Sequence, residues 1–192
     1  MPRLLSLCTV LLGSFITTQI MAADHYTLDP KHTYVEWMAD HFGFSHPSGK
    51  WMAQGSLDYD PTHPENSKAN VTININDIIT GIPELDKHLK SDLFFDVKKY
   101  PKATFTTTKI ELTDNKISHI MGDLTVHGVT KPITLEAKLN KMGKNPITEK
   151  ESIGFSGEAT LKRSDFGITT FLPGIGDDVK MHIEVEAAKD SK

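Results

Sequence analysis

The sequence predicts a mainly β chain, a single domain of about eight antiparallel strands that close into a barrel or split into a sandwich, with a short helical insert near residues 82–99. Three observations lead there. Apolar and polar residues alternate with a period of two through most of the chain. One segment alone, 82–99, changes to helical spacing. No internal repeat, low-complexity tract or shift in composition marks a linker, so one domain holds all the strands.

The first element is not part of that domain. Arg3 supplies a positive start, Leu4 to Ile16 form a 13-residue apolar core, and Met21-Ala22-Ala23 end in small residues. This is the pattern of a secretory signal peptide, cut after Ala22 or Ala23. The apolar core is shorter than the roughly 20 residues of a spanning helix. The predicted boundaries are therefore 1–22 for the signal peptide and 23–192 for the mature domain, which is exported. Cys8 leaves with the leader, so the mature 170 residues contain no cysteine and no disulfide framework. Loss of Arg3, the one charged residue of the leader, takes the formal charge from −4 to −5. That mild acidity argues against nucleic acid as a partner, which demands a basic face.

Strands follow in order. Val35, Trp37 and Ala39 share a face near 33–41, and Trp51, Ala53, Gly55, Leu57 and Tyr59 share one near 49–60. Val71, Ile73 and Ile75 alternate with Thr72, Asn74 and Asn76. In 103–112 the apolar phase slips from odd to even numbers, and a bulge near Thr107 and Thr108 repairs it. Ile133 to Leu139, Ile153 to Leu161 and Val179 to Val185 alternate cleanly. One wet and one buried face per strand is antiparallel behaviour. In the insert, Leu85, Leu89, Leu93 and Phe94 recur at helical spacing, Pro83 suits a first helical position, and Ser91 and Asp92 offer a cap for a second short helix. Such an insert is a lid or plug at one end of a barrel. Lys141–Ser152 reads as a variable loop.

Eight antiparallel strands close into a barrel or split into a sandwich, and a closed barrel of this size is either filled by side chains or hollow. The inward residues mix Trp37, Trp51, Phe105 and Phe155 with the small Ala39, Ala53, Gly55, Ala103, Ala137, Gly157, Ala159 and Ala187. Patterning alone leaves hollow and filled equally open. A hollow version would suit a long apolar ligand, because almost no charge points inward.

The stretch Gly122-Asp123-Leu124-Thr125-Val126-His127-Gly128-Val129-Thr130-Lys131-Pro132 reads as strand, tight turn at Gly128, strand. With Tyr26-Thr27-Leu28-Asp29, His41-Phe42-Gly43, Asp86, His88-Leu89, Ser91-Asp92, Phe94-Phe95, Tyr100-Pro101 and Arg163-Ser164-Asp165-Phe166-Gly167, it resembles the YceI-like polyisoprenoid-binding family. The resemblance spans nearly the whole mature chain. It implies a single antiparallel lipocalin-like β-barrel, periplasmic or secreted, hollow, holding an isoprenoid lipid such as a polyprenyl phosphate or an isoprenoid quinone for transport or storage, with the periplasm as the expected location. It implies no catalytic residue and no cofactor. It also implies transient membrane contact for ligand exchange, and leaves the oligomeric state open, a dimer included. Alternation and resemblance together assign Val35, Trp37, Trp51, Phe94, Phe95, Phe105, Leu124, Phe155 and Phe166 to the apolar chain, and His88 and Arg163 to its polar end. The alternatives are a periplasmic enzyme or stress-response factor acting on a small apolar substrate, and a quinone-holding electron-carrier partner.

Remaining motifs are weighed against those readings. His41 with His46, Asp86 with His88, and His119 with His127 are the metal candidates, but none has the spacing of a zinc site. Asp86 reads as a structural acceptor. No GxSxG elbow and no inward carboxylate pair is present, so neither acyl nor glycoside hydrolysis is indicated. Arg163 continues the inward phase of Phe155 to Leu161. It either meets a head group at the barrel mouth or, past the strand end, pairs with Asp165 or another surface acid.

Overall fold

A computed structural model describes residues 23–191. The expected signal peptide lies outside the described residues. Nine strands among the described residues form one sheet: β1 (Asp24–Leu28), β2 (Tyr34–His41), β3 (Ser48–Tyr59), β4 (Lys68–Asn74), β5 (Lys102–Thr113), β6 (Lys116–Val126), β7 (Val129–Lys144), β8 (Glu151–Lys162) and β9 (Ile175–Lys189). Every pairing is antiparallel, and the β3–β4 and β2–β9 ladders close β2 to β9 into an eight-stranded barrel. The extra strand, β1, lies in line with β2. Both run against β3, β1 at Ser56–Tyr59 and β2 at Ser48–Met52, and both run against β9.

The break between β1 and β2 needs a substitute for the missing ladder bonds, since buried backbone groups must be paired. Thr33 supplies it. Its buried hydroxyl donates to the Glu186 carbonyl (2.9 Å) and accepts from the Glu186 N–H (3.2 Å), while its carbonyl accepts from Ala53 N–H (2.9 Å).

Alternation places the apolar faces inward as the sequence predicts. Val35 pairs Ile183, Phe155 pairs Val185 and Phe105 pairs Leu124. The β5 register shifts between Thr107 and Lys109, which is the expected bulge. His127 and Gly128 both have positive φ (51° and 74°), as a two-residue primed hairpin turn between β6 and β7 requires. A Cβ at Gly128 would lie 2.4 Å from the Tyr100 ring, so the turn is also pressed against the chain entering β5.

Three expectations are corrected. The insert contains one helix, α1 (Pro83–Leu89), with Pro83 at its start. No second helix follows: Ser91 Oγ donates back to the His88 carbonyl (2.7 Å), and Asp96 at φ 42° breaks the right-handed path, so 91–99 is a chain of turns. β4 stops at Asn74, whose side chain accepts from Asn76 N–H, and buried Ile75 opens a 3-10 turn instead of extending the strand. Lys141–Lys144 and Glu151–Ser152 are paired hairpin, not loop; the connection is only 145–150.

Side chains pack in two clusters at opposite ends. Tyr26, Leu28, Leu57, Tyr59, Ile110, Ile117, Ile153, Phe155 and Ala187 fill the end that carries the chain termini. Trp51, Ile75, Ile78, Leu89, Phe94, Ala103 and Ile168 pack beneath α1 at the other.

Candidate functional site

Between these clusters the barrel is hollow. The cavity measures about 520 Å³, within the roughly 300–1,000 Å³ typical of small-molecule sites. Its wall is made by the inward faces of β2 to β9, and its roof by α1 and the turns after it.

Two glycines explain why aromatic side chains do not fill it. Trp37 and Gly49 are direct partners on β2 and β3, and a Cβ on Gly49 would sit 2.8 Å from the Trp37 ring. A Cβ on Gly122 of β6 would sit 2.3 Å from Cζ of Phe105 on β5. Each ring therefore packs over the bare backbone of a glycine on the wall, where a side chain would otherwise stand. The Gly122–Pro132 motif thus has a physical reading: Gly122 seats Phe105, and His127-Gly128 makes the turn. The small residues singled out from the sequence contribute less than expected. Ala39, Ala53 and Ala103 line the cavity, whereas Gly157, Ala159 and Ala137 do not. Gly55 is needed for another reason, because its Cβ would lie 2.0 Å from the Asn70 carbonyl oxygen across the β3–β4 ladder.

All eleven residues assigned to the ligand lie on the cavity wall: Val35 and Trp37 from β2, Trp51 from β3, Phe105 from β5, Leu124 from β6, Phe155 from β8, Phe94 and Phe95 after α1, His88 on α1, and Arg163 and Phe166 after β8. Trp51 is fixed by its indole N–H, which donates to the Ile75 carbonyl (3.1 Å), and by an edge-on contact with Phe95 at 5.3 Å. Trp37 sits 6.3 Å from it. The Trp37 indole nitrogen is buried without a partner, the one such side-chain donor among the described residues. Nothing in the sequence pattern signals that.

His88 stacks on Phe171 (6.2 Å) and meets Phe94 edge-on (5.0 Å). His88, Phe42 and Phe171 both line the cavity and are exposed, so they mark its mouth. Asp86 beside it accepts from the N–H and hydroxyl of Thr80 (2.9 and 2.7 Å), which anchors the start of α1.

Arg163 corrects the surface reading. β8 does end at Lys162, but Arg163 is 8% exposed and its guanidinium donates to three carbonyls: Nε to Gly176 (2.9 Å), Nη1 to Ile168 (3.0 Å) and Nη2 to Ile175 (2.8 Å). It makes no ion pair with Asp165, which is exposed. Burial pushes its pKa below the ordinary guanidinium value, and the nearby Asp177 carboxylate opposes that shift. Asp177 in turn accepts from the Ser164 N–H and hydroxyl (2.9 and 2.7 Å). The residues 163–167 therefore tie the β8 end to the β9 start. Phe166 completes the tie: its ring is buried, and its carbonyl accepts from His127 Nδ1 (3.1 Å). Two of the five guanidinium N–H groups remain for a ligand.

The metal candidates separate. His46 faces Asp40 (3.7 Å), His119 meets Ser118 (3.2 Å), and His127 is the turn anchor just described. Among the described residues the one converging set is Asp29, His32 and Glu186, which no local spacing signals because Glu186 is 154 positions from His32. Exposed His32 and half-buried Asp29 are hydrogen-bonded at 2.7 Å there.

Comparison with known proteins decides the family. The YceI-like domain matches residues 26–187. The chain belongs to the YceI-like family. Protein YceI of Salmonella arizonae is 39% identical over 176 residues, covering 90% of this chain and 91% of that protein. The crystallised YceI protein of Campylobacter jejuni is 38% identical, with a TM-score of 0.69 over 79% of this chain and 90% of that one. Two more distant structures share the fold. BcnA of Burkholderia cenocepacia has a TM-score of 0.73 at 22% identity, over 84% of this chain and 99% of its own. A polyisoprenoid-binding domain from Saccharophagus degradans has 0.66 at 15% identity, over 86% and 98%. The lipocalin-like barrel of the YceI-like chain is thus the observed architecture, with β1 as its addition.

Proposed function

We propose that this YceI-like protein is an exported carrier that holds an isoprenoid chain, a polyprenyl phosphate or an isoprenoid quinone, inside its barrel for transport or storage. The observation that carries the reading is the cavity: about 520 Å³, walled by aliphatic and aromatic side chains from eight strands, with no Asp or Glu on its wall. A long apolar chain gains by leaving water for such a wall, and a wall without carboxylates supports binding over hydrolysis. The Saccharophagus degradans relative in fold is a polyisoprenoid-binding domain, which supports the same class of cargo here. The leader at 1–22 supports delivery to the periplasm.

On this reading the nine apolar positions grip the chain, and the polar end is met by donors. Trp37 Nε1, unpartnered inside the wall, the free N–H groups of Arg163, and His88 at the mouth are those donors. A quinone oxygen or a phosphate oxygen accepts from any of them.

Lipids extracted from natively purified protein and read by mass spectrometry test the cargo, together with titration of ubiquinone in mild detergent followed by quenching of Trp37 and Trp51 fluorescence. Enrichment of isoprenoids and saturable quenching are expected. Straight-chain fatty acids in their place, with no quenching, would overturn the assignment.

A further inference from the structure

We propose that the mouth end of the barrel is a membrane-docking surface, which seats the protein on a bilayer through uncharged apolar side chains so that the cavity opens directly against lipid. The docking rests on the surface itself; its use in cargo exchange rests on the isoprenoid reading above.

Six large apolar side chains stand exposed at this end. Phe44 is 91% exposed, and Phe42, Ile79, Ile82, Leu93 and Phe171 are 47–53% exposed. They come from separate segments that the fold ties into one collar. Phe42 N–H donates to the Gly174 carbonyl (2.7 Å), joining the β2–β3 turn to the β8–β9 segment. Thr170 Oγ1 donates to the Leu93 carbonyl, and Phe171 stacks on His88 of α1. Ile79 exchanges both backbone bonds with Lys50 of β3 (2.9 Å each). The collar is continuous with the site, because Phe42 and Phe171 also line the cavity.

Charge is arranged to match. The tips at this end, residues 42–45, 78–83, 93–95, 124–130 and 166–176, contain no Asp, Glu, Lys or Arg. The segment 84–99 brings four acidic residues and four lysines, so it adds no net charge. At the other end the connections carry Asp60 and Glu65, Asp114, and Glu149 and Lys150. Exposed apolar patches on soluble proteins mark interaction surfaces. An apolar ring with no net charge around the mouth of an apolar cavity fits hydrocarbon, which offers neither charge nor hydrogen bonds.

The test uses residues 23–192, which contain the whole closed barrel, and flotation with two vesicle types: phosphatidylcholine alone, and phosphatidylcholine with a minority of phosphatidylglycerol. Association with both to a similar extent is expected, with little change on raising salt severalfold. The double variant Phe44→Glu/Ile82→Glu is expected to partition at least about tenfold less. Its detergent-phase quinone titration should be unchanged, because neither residue lines the cavity. Ile147→Glu, equally exposed at the opposite end (89%), is expected to partition like the parent.

Absence of vesicle association, or equal partition of the double variant and the parent, overturns the docking surface. Association confined to anionic vesicles and removed by salt overturns it in favour of a charged contact. A concentration-dependent dimer that Phe44→Glu/Ile82→Glu abolishes, with no vesicle binding, overturns it in favour of a second copy on this face. Vesicle association with no quinone titration upholds the docking and overturns the cargo.

Discussion

Gly122→Ala is the sharpest probe of how the lumen stays open. The new methyl would lie 2.3 and 2.4 Å from Cζ and Cε2 of Phe105 and 2.6 Å from the Thr106 carbonyl oxygen. These are impossible separations, so the Phe105 ring must swing off the wall, and the space it can enter is the lumen. Overpacking of this kind costs about 1–3 kcal/mol. For a domain of this length each kcal/mol moves the melting temperature about 2–4 °C, so a fall of roughly 2–12 °C is expected. Ubiquinone titration should weaken at the same time. Phe105→Leu in the same chain removes the ring that clashes, so the double variant should regain stability and binding relative to Gly122→Ala alone. The coupling between the two sites, read from thermal melts of the full cycle, should be about 1–3 kcal/mol. A coupling near zero would refute the reasoning: the contact with Thr106 would then dominate, and Phe105 would not be held against the wall by Gly122.

Three further outcomes are expected. Arg163→Ala should strand three carbonyls and cost roughly 2–4 kcal/mol in denaturant unfolding, and Arg163→Lys should recover little of it, because an ammonium cannot span the planar fork. Trp37→Phe should weaken binding of a quinone about fivefold, the worth of one hydrogen bond, while leaving a plain hydrocarbon of equal length unaffected in the same competition assay. His25 and His32 are held above their ordinary pKa of 6.5, first by hydrogen bonds to Asp58 and Asp29. Their stabilisation is thus present below that pKa and lost as pH rises through the raised values, so the melting temperature should drop slightly from about pH 6 to about pH 9, and His25→Asn/His32→Asn should flatten the drop.

The wall of the barrel was readable because a strand writes its two faces in every second residue; Val179 to Val185 needed nothing else. Local chemistry was readable too: the phase slip announced the Thr108 bulge, and His127-Gly128 announced its turn. The lumen was not readable. Whether an aromatic ring fills a barrel depends on what lies across the ladder, and Gly49 and Gly122 stand 12 and 17 positions from Trp37 and Phe105. Without the register, Gly157 and Ala159 seemed equally good spaces, and they are not on the cavity wall. Arg163 shows the same limit at one residue. Its inward phase was correct, but nothing local reveals that carbonyls 5, 12 and 13 positions ahead would claim its guanidinium. Thr33 likewise looks like any strand threonine until the break between β1 and β2 is seen.

A cavity this large bears on where the fold keeps its stability. The lumen of about 520 Å³ is space that core side chains would otherwise fill, and unfilled apolar space forgoes packing. The forgone packing must be offset elsewhere in the same chain, and the offset is visible. At the terminal end the side chains are packed to near-complete burial: Ile153 is 1% exposed and Ala187 0%, with Tyr59 edge-on to Phe155 at 6.1 Å. The β3–β4 ladder removes the free edges that an open sheet would leave. Stability is thus concentrated in the end away from the mouth and in the closed backbone ladder. The mouth end can then keep an open lumen, exposed phenylalanines and an unpaired indole N–H, each turned toward what the barrel is proposed to hold.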